Sequence, residues 1–488
     1  MRMARQSLAM RAAAALLLMI GFYILAIGVA IGLLFAVYFE LMYSHQIFIK
    51  PTIFAVVAAG VILWSIVPRP DRFVAPGLLL DEERDPDLFA VIRGVAKKTG
   101  QKMPREVYLV SDVNAWVSQR GRFMGIGSRR VMGVGLPLLQ TVSVPQFRAI
   151  IAHEFGHYHH GDTALGPWIY KTREAIGRTI ENLVKSHAGA IHKPFLWYGN
   201  FFMRVTQSIS RAQELAANAL SATVAGARNA INALIATERS GAAYYSYWST
   251  EVVPLLSNGF HPPIAAGLSA YMRSPVVEKQ LGEIVDRALT KADVDVYDSH
   301  PPLRERIAAL EKLPAGEAAV DAPCASTLLR DLTSAEEGLL RATFPEAMAA
   351  NALRSIAWSD AAENAYVPSW RKRVEEKSGV LRSITLATLP SSIEQTMSIA
   401  VRMRFVHMPQ NEAFTSVVSI LGCALAARLH DQGWSCDTAL GMPVTLTKNG
   451  RTIEPFRLVD LRARNEISAA DWSAACEAMD LGDRALVQ

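Results

Sequence analysis

The chain is 488 residues long, 51% hydrophobic and 19% charged, with a formal net charge of +5, which suggests roughly two to four domains and excludes a disordered or acidic solvating protein. Four scattered cysteines, Cys324, Cys423, Cys436 and Cys476, form no C-x-x-C pair, which excludes a disulfide scaffold or zinc ribbon and fits a reducing compartment. The modest charge forms no basic stripe, so no nucleic-acid partner is expected.

The amino terminus is the first predicted element. From Ala12 to Phe39 no charged residue occurs, 28 positions in all, and a helix needs only about 20 to cross the hydrocarbon core. Arg2, Arg5 and Arg11 imitate the charged start of a signal peptide, but that reading fails because signal cores run only about 7–15 residues and a second apolar run follows here. The second run, Thr52 to Val67, has 16 uncharged residues between Pro51 and Pro68. The pattern predicts a two-helix transmembrane hairpin over 1–68, turning near Glu40 to Lys50, with the lipid bilayer as partner. Arg2, Arg5 and Arg11 precede it and Arg69 and Arg72 follow, against Lys50 alone between the spans, so both chain ends are expected in the cytoplasm. Gly28 with Gly32, and Ala55 with Ala59, have the small-x-x-x-small spacing that allows close helix contact.

Beyond Pro68 a helix is predicted over Leu88 to Lys98. The β-like runs Glu106–Val110, Asn114–Val117, Arg122–Ile126 and Val131–Val134 then predict a small antiparallel sheet. Gly125, Gly127, Gly133 and Gly135 do not make a dinucleotide loop, because no G-x-G-x-x-G opens a helix there. The next helix has a capping box, Ser143 with Gln146, and Pro145 in its first turn, and is expected to stop by Gly161.

That helix contains His153-Glu154-Phe155-Gly156-His157. Residues four apart share a helix face, so the two imidazoles converge on one point, a geometry suited to zinc. Glu154 lies beside His153, where its carboxylate can act as general base towards water at the metal. One zinc ion per chain is expected. The metzincin pattern fails, since His160 and Thr163 stand where Gly and His are required. Chemistry alone leaves Glu174, Glu181 and Glu214 open as third ligand. Asn218, one turn after Glu214, is placed to orient a metal-bound histidine. His159 and His160 suit the helix C-terminus better than a metal.

Four blocks in order resemble the CAAX prenyl protease and HtpX family of membrane zinc endopeptidases: Asn114-Ala115-Trp116; the His-Glu-Phe-Gly-His followed by Gly161-Asp162; Ser210-Arg211-Ala212-Gln213-Glu214 through Asn218; and Ser299-His300-Pro301-Pro302-Leu303-Arg304-Glu305-Arg306. The resemblance covers roughly Val74 to Leu313. It implies a gluzincin fold with Glu214 as third zinc ligand and Glu154 as catalytic base. It further implies that an extended peptide pairs along Asn114, Ala115 and Trp116, and that His300 and Arg306 approach the active site, His300 to stabilise an oxyanion. The family's usual aspartate is Asn218 here, an amide that cannot supply negative charge to a ligand. Pro194 to Val205, between Lys193 and Arg204, is too short for a further span; Phe195, Trp197, Tyr198, Phe201 and Phe202 suit a core-facing helix better than lipid contact.

After a linker over 316–323, helices are predicted over Leu328–Leu340 and Val367–Lys377. A hairpin is predicted at Lys448-Asn449-Gly450, and a last helix opened by Ser468 and Asp471. No catalytic constellation occurs there, and His407 and His430 are isolated; His261, before two prolines in the preceding domain but without the Arg pattern that follows His300, is read as structural. The fold class is therefore α+β, with a transmembrane hairpin, a mainly helical gluzincin metalloprotease domain over 69–315 and an α+β accessory domain over 324–488. The expected protein is an endopeptidase of a bacterial inner membrane, facing the cytoplasm, that acts on peptides or membrane proteins; an oligomer is left open. Two alternatives stand beside it: a non-proteolytic zinc scaffold, and a latent protease gated by its C-terminal domain.

Overall fold

The computed structural model describes residues 2–44, 48–67, 73–120, 129–158, 166–186, 189–290, 301–316, 321–349, 352–394, 396–405, 408–479 and 485–486. The chain is mostly helical, with small sheets, and divides into two compact units. One comprises Met1–Glu238 with Val285–Leu332, the other Arg239–Ile284 with Thr333–Gln488. Residues 239–284, read from sequence as part of the 69–315 domain, thus group with the C-terminal residues.

In the first unit, α1 (Arg2–Phe39) and α2 (Ile49–Ile66) pack against each other. Both are long and apolar enough to cross a membrane. Their contact runs through Ala26, Ala30 and Ala59, which are almost fully buried. Gly28 and Gly32 lie on the exposed face with nothing near them, so alanines and not the G-x-x-x-G bring the helices together. Glu40 closes the turn, accepting from Phe48 N and from Thr52 Oγ1 at 3.2 Å.

α6 (Gly166–Lys185) and the first turns of α7 (His192–Ala225) pack on this pair. Asn182 Nδ2 donates to Ser65 Oγ at 2.9 Å, and Tyr198 Oη donates to the Leu18 carbonyl at 2.6 Å. Phe195 and Phe202 are buried in this cluster, whereas Trp197 and Phe201 stack on each other on the exposed side. The Pro194–Val205 segment therefore has two apolar faces, one packed and one bare.

The sheet comprises β1 (Leu78–Leu79), β2 (Glu106–Val110), β3 (Ala115–Arg120) and β4 (Arg129–Gly135) in the order β1-β2-β4-β3. It is mixed and not antiparallel as expected: β2 and β4 run parallel, while β3 is antiparallel to β4. The predicted Arg122–Ile126 run lies outside the described residues. β3 is the edge strand among the described residues, and Trp116 lies flat over Gly133, where a Cβ would fall 2.4 Å from the indole. One face of the sheet and α3 (Pro86–Thr99) help bury α5 (Val144–Gly156), whose Phe147, Ile151 and Phe155 are fully buried.

The second unit is built round α10 (Gln410–Asp431), whose Val417, Leu421 and Leu425 are fully buried in its core. This helix also meets the length and composition of a span, but its apolar face is covered by neighbours. The helix expected over Leu328–Leu340 runs over Leu332–Thr343, and the one expected over Val367–Lys377 runs over Val367–Glu376. Asn449 and Gly450 take left-handed φ of 52° and 76° between strands Thr445–Lys448 and Arg451–Ile453. The Ser468–Asp471 capping box opens helix Ala469–Ala478. His407 lies outside the described residues.

Candidate metal centre

α5 starts as its sequence requires. Ser143 accepts from Gln146 N, Gln146 returns a bond to Ser143 N at 2.9 Å, and Pro145 occupies the first turn. The helix ends at Gly156, with His157 as its last cap residue, so His153 and His157 sit at its C-terminal turn. Gly156 is where α5 meets α7. A Cβ there would lie 2.7 Å from Ala217 Cα, so only glycine permits this approach. Ser221 Oγ then donates to the Ala149 carbonyl at 2.7 Å and fixes the register of the two helices.

The close contact brings Glu214 of α7 to the histidines. Its carboxylate lies 3.4 Å from His153 Nε2 and 3.6 Å from His157 Nε2, and the side chain is buried. Zinc bonds of about 2.0–2.1 Å set neighbouring tetrahedral ligands about 3.3–3.4 Å apart. The donor set and its spacing therefore fit a zinc ion. Donor atoms of His153, Glu154 and His157 also lie within 4.8 Å of one another. Glu154 is the other carboxylate of this group.

Burial pushes the Glu154 carboxyl up to about 8, with Glu214 adding to the rise and Arg306 opposing it. Arg306, on α9 (Leu303–Leu310), stands 3.6 Å from Glu214 Oε2 and donates to Asn218 Oδ1 at 3.0 Å. Asn218 thus holds the arginine that faces Glu214, and not a histidine as the sequence reading suggested. His153 Nδ1 is buried with no hydrogen-bond partner among the described residues.

A cavity of about 430 Å³ opens beside His153 and Glu154, and Asn114, Ala115, Asn218 and Arg306 line parts of it. Trp116 does not, being turned onto the sheet. His300, His159 and His160 lie outside the described residues. Glu174 pairs with Arg178 at 3.2 Å and Glu181 with Lys185 at 2.6 Å on the exposed side of α6, which leaves Glu214 as the glutamate brought to the histidines. Sequence reasoning missed Gly156 and the cavity's α8 wall, where α8 is Ala227–Tyr247. The signal for the first was a glycine inside the pentapeptide; the alanines of the second read like any helix.

Residues 82–314 match the profile of peptidase family M48. Among similar proteins, Protease HtpX of Xylella fastidiosa is 24% identical over 253 residues, covering 48% of this chain and 75% of the relative. Protease HtpX homolog of Aeropyrum pernix is 25% identical, covering 46% and 74%. Protease HtpX homolog 1 of Sulfurisphaera tokodaii is 32% identical, but over 79 residues, which is 16% of this chain and 24% of that protein. No solved structure matches significantly. With the histidine pair, its neighbouring glutamates and the apolar amino-terminal helices, this match marks the chain as a membrane metallopeptidase whose residues 82–314 are similar to peptidase family M48.

Proposed function

We propose that the chain is a zinc endopeptidase anchored by α1 and α2, with its peptidase domain in the cytoplasm. The observation that carries this is the convergence of His153 and His157 Nε2 on Glu214 at 3.4 and 3.6 Å, with Glu154 alongside. The two imidazoles and Glu214 would hold the ion. Zinc bound there supplies Lewis acidity that polarises a peptide carbonyl and acidifies water.

The protein's own groups do the rest. The Glu154 carboxylate takes a proton from the attacking water and delivers it to the departing amine. Arg306 faces Glu214 and balances its charge, and Asn218 orients the guanidinium. β3 is suited to hold the substrate main chain. The Asn114 carbonyl accepts from Gly135 N at 2.8 Å, so by strand alternation Trp116 also turns its main-chain groups to β4. Ala115 and Val117 then face the open edge. Tyr158 Oη takes the Val117 carbonyl at 2.7 Å, leaving Ala115, which lines the cavity, to pair with an extended peptide. His300 keeps its proposed oxyanion role on the family resemblance alone.

Substrates near the bilayer, such as cytoplasmic segments of membrane proteins, follow from the anchor. The bare Trp197 and Phe201 face, packed behind on α1, suits the lipid interface, where amphipathic aromatics concentrate. Purified full-length protein in detergent should cleave an unfolded polypeptide, lose this on chelation and recover with zinc. Cleavage unaffected by chelation would contradict the proposal.

A further inference from the structure

The residue that follows the second histidine is tied to the end of α3, to β3 and to β4. Tyr158 N donates to the Phe155 carbonyl at 3.0 Å, and the Tyr158 carbonyl accepts from Gln101 Nε2 at 3.1 Å, just past α3. Arg130 of β4 lies over the phenol ring, 4.7 Å from its centroid. The same guanidinium donates through Nη1 to Gln101 Oε1 at 3.2 Å and to the Lys102 carbonyl at 3.0 Å. So held, the phenol reaches the open edge of β3, where its hydroxyl donates to the Val117 carbonyl at 2.7 Å. That is the usual length of an O–H···O bond. An added strand pairs with the outward main-chain groups of an edge strand, which recur at every second residue. Asn114 already pairs with Gly135, so the outward residues of β3 are Ala115, Val117 and Gln119. The carbonyl of the middle one is engaged by Tyr158.

We infer that Tyr158 ends the peptide-binding edge: its hydroxyl holds the place of a substrate amide at Val117, so that an extended peptide pairs only beside Ala115. The inference rests on the peptidase reading and on its use of β3, and adds to them where recognition of the substrate main chain stops. A substrate residue opposite Val117 would lie two residues along from the one opposite Ala115. The substrate has to leave the strand before that point, so the segment bound in extended form is short. Loops and chain ends, extended over only a few residues, meet that condition. Because Tyr158 adjoins His157, the stop is also fixed relative to the histidine pair.

The test uses full-length protein in detergent and peptides that share one Glu154-dependent cleavage site and are lengthened one residue at a time on each side of it. With the wild type, kcat/KM should stop rising on one side within a few residues of the cleaved bond. In Tyr158→Ala, which clears the edge, residues added beyond that plateau should raise kcat/KM by about two- to tenfold, the effect of one further hydrogen bond. The readout is the ratio of the longer to the shorter peptide, from which a general loss of activity cancels. Tyr158→Phe keeps the ring on Arg130 and drops the hydroxyl, and should show a smaller rise in the same direction. Zinc content and melting temperature verify the fold of each variant. A wild-type kcat/KM that keeps rising with length on both sides, or ratios equal to wild type in both variants, would overturn the inference and leave the peptidase reading intact. Absence of any Glu154-dependent cleavage would overturn that reading and this inference together.

Discussion

At the scale of single residues, the candidate metal centre combines a local and a distant part. His153, Glu154 and His157 were legible because their spacing acts within one helix, where 3.6-residue periodicity fixes which side chains meet. The partnership of Asn218 with Arg306 was not, since it joins residues 88 apart and depends on how α9 returns to α7. Arg306→Leu should leave Glu214 without its facing cation and Asn218 without its donor. Losing such support for a ligand typically costs about 10–100-fold in metal affinity. Competition with a zinc chelator measures it, and unchanged affinity would show that Arg306 is not needed to hold Glu214.

Among elements, the α5–α7 contact decides whether the ligands meet. Gly156→Val should force the helices apart at Ala217 and carry both histidines away from Glu214. The expected result is a helical protein by circular dichroism that no longer retains zinc; full retention would contradict this. The capping boxes of α5 and of the last helix were readable because caps are local chemistry. The parallel pairing of β2 with β4 was not, because strand order depends on the path between strands and not on their composition. Likewise the alanine faces of α1 and α2 looked no different in sequence from Gly28 and Gly32, and packing chose between them.

A second element-scale case lies in the C-terminal unit. Glu336 accepts from Ile264 N and from Ala265 N at 3.0 Å, capping the helix Ile264–Met272. Burial nevertheless holds its carboxyl above the usual range. A raised folded-state value means that ionising Glu336 opposes folding. Its contribution is full below the unfolded value, ordinarily 4.5, and is lost as pH rises through the folded one. Glu336→Gln cannot titrate, so its stability to denaturant should fall less than that of wild type as pH rises across that interval. Parallel pH profiles would contradict the assignment.

At the scale of the whole molecule, the C-terminal residues are not a removable appendix. Tyr247, Leu268 and Tyr271, from residues 239–284, share one cluster with Trp358 and Leu440. Residues after 323 also return to the first unit: Ala325 N donates to Val142 at 2.8 Å, and Arg330 N donates to Asp85 Oδ1 at 3.0 Å. A chain ending at Pro323 would lose the strand-like pairing at the start of α5 and uncover that cluster. It should therefore be degraded or aggregate in cells. A stable truncated protein with raised peptidase activity would instead favour a gated protease. The Ala-rich stretch 316–323 hid this, because linker composition does not show where the next residues dock.

The central claim is that Glu154 drives peptide hydrolysis at a zinc held by His153, His157 and Glu214. Its most direct test compares new protein N-termini in membranes carrying wild-type protein with those carrying Glu154→Gln, with zinc content measured in both. The substitution removes the base and leaves the three proposed ligands, so zinc should stay bound. N-termini seen with the wild type alone would bear the claim out. Identical sets of N-termini, with zinc retained in both proteins, would contradict it.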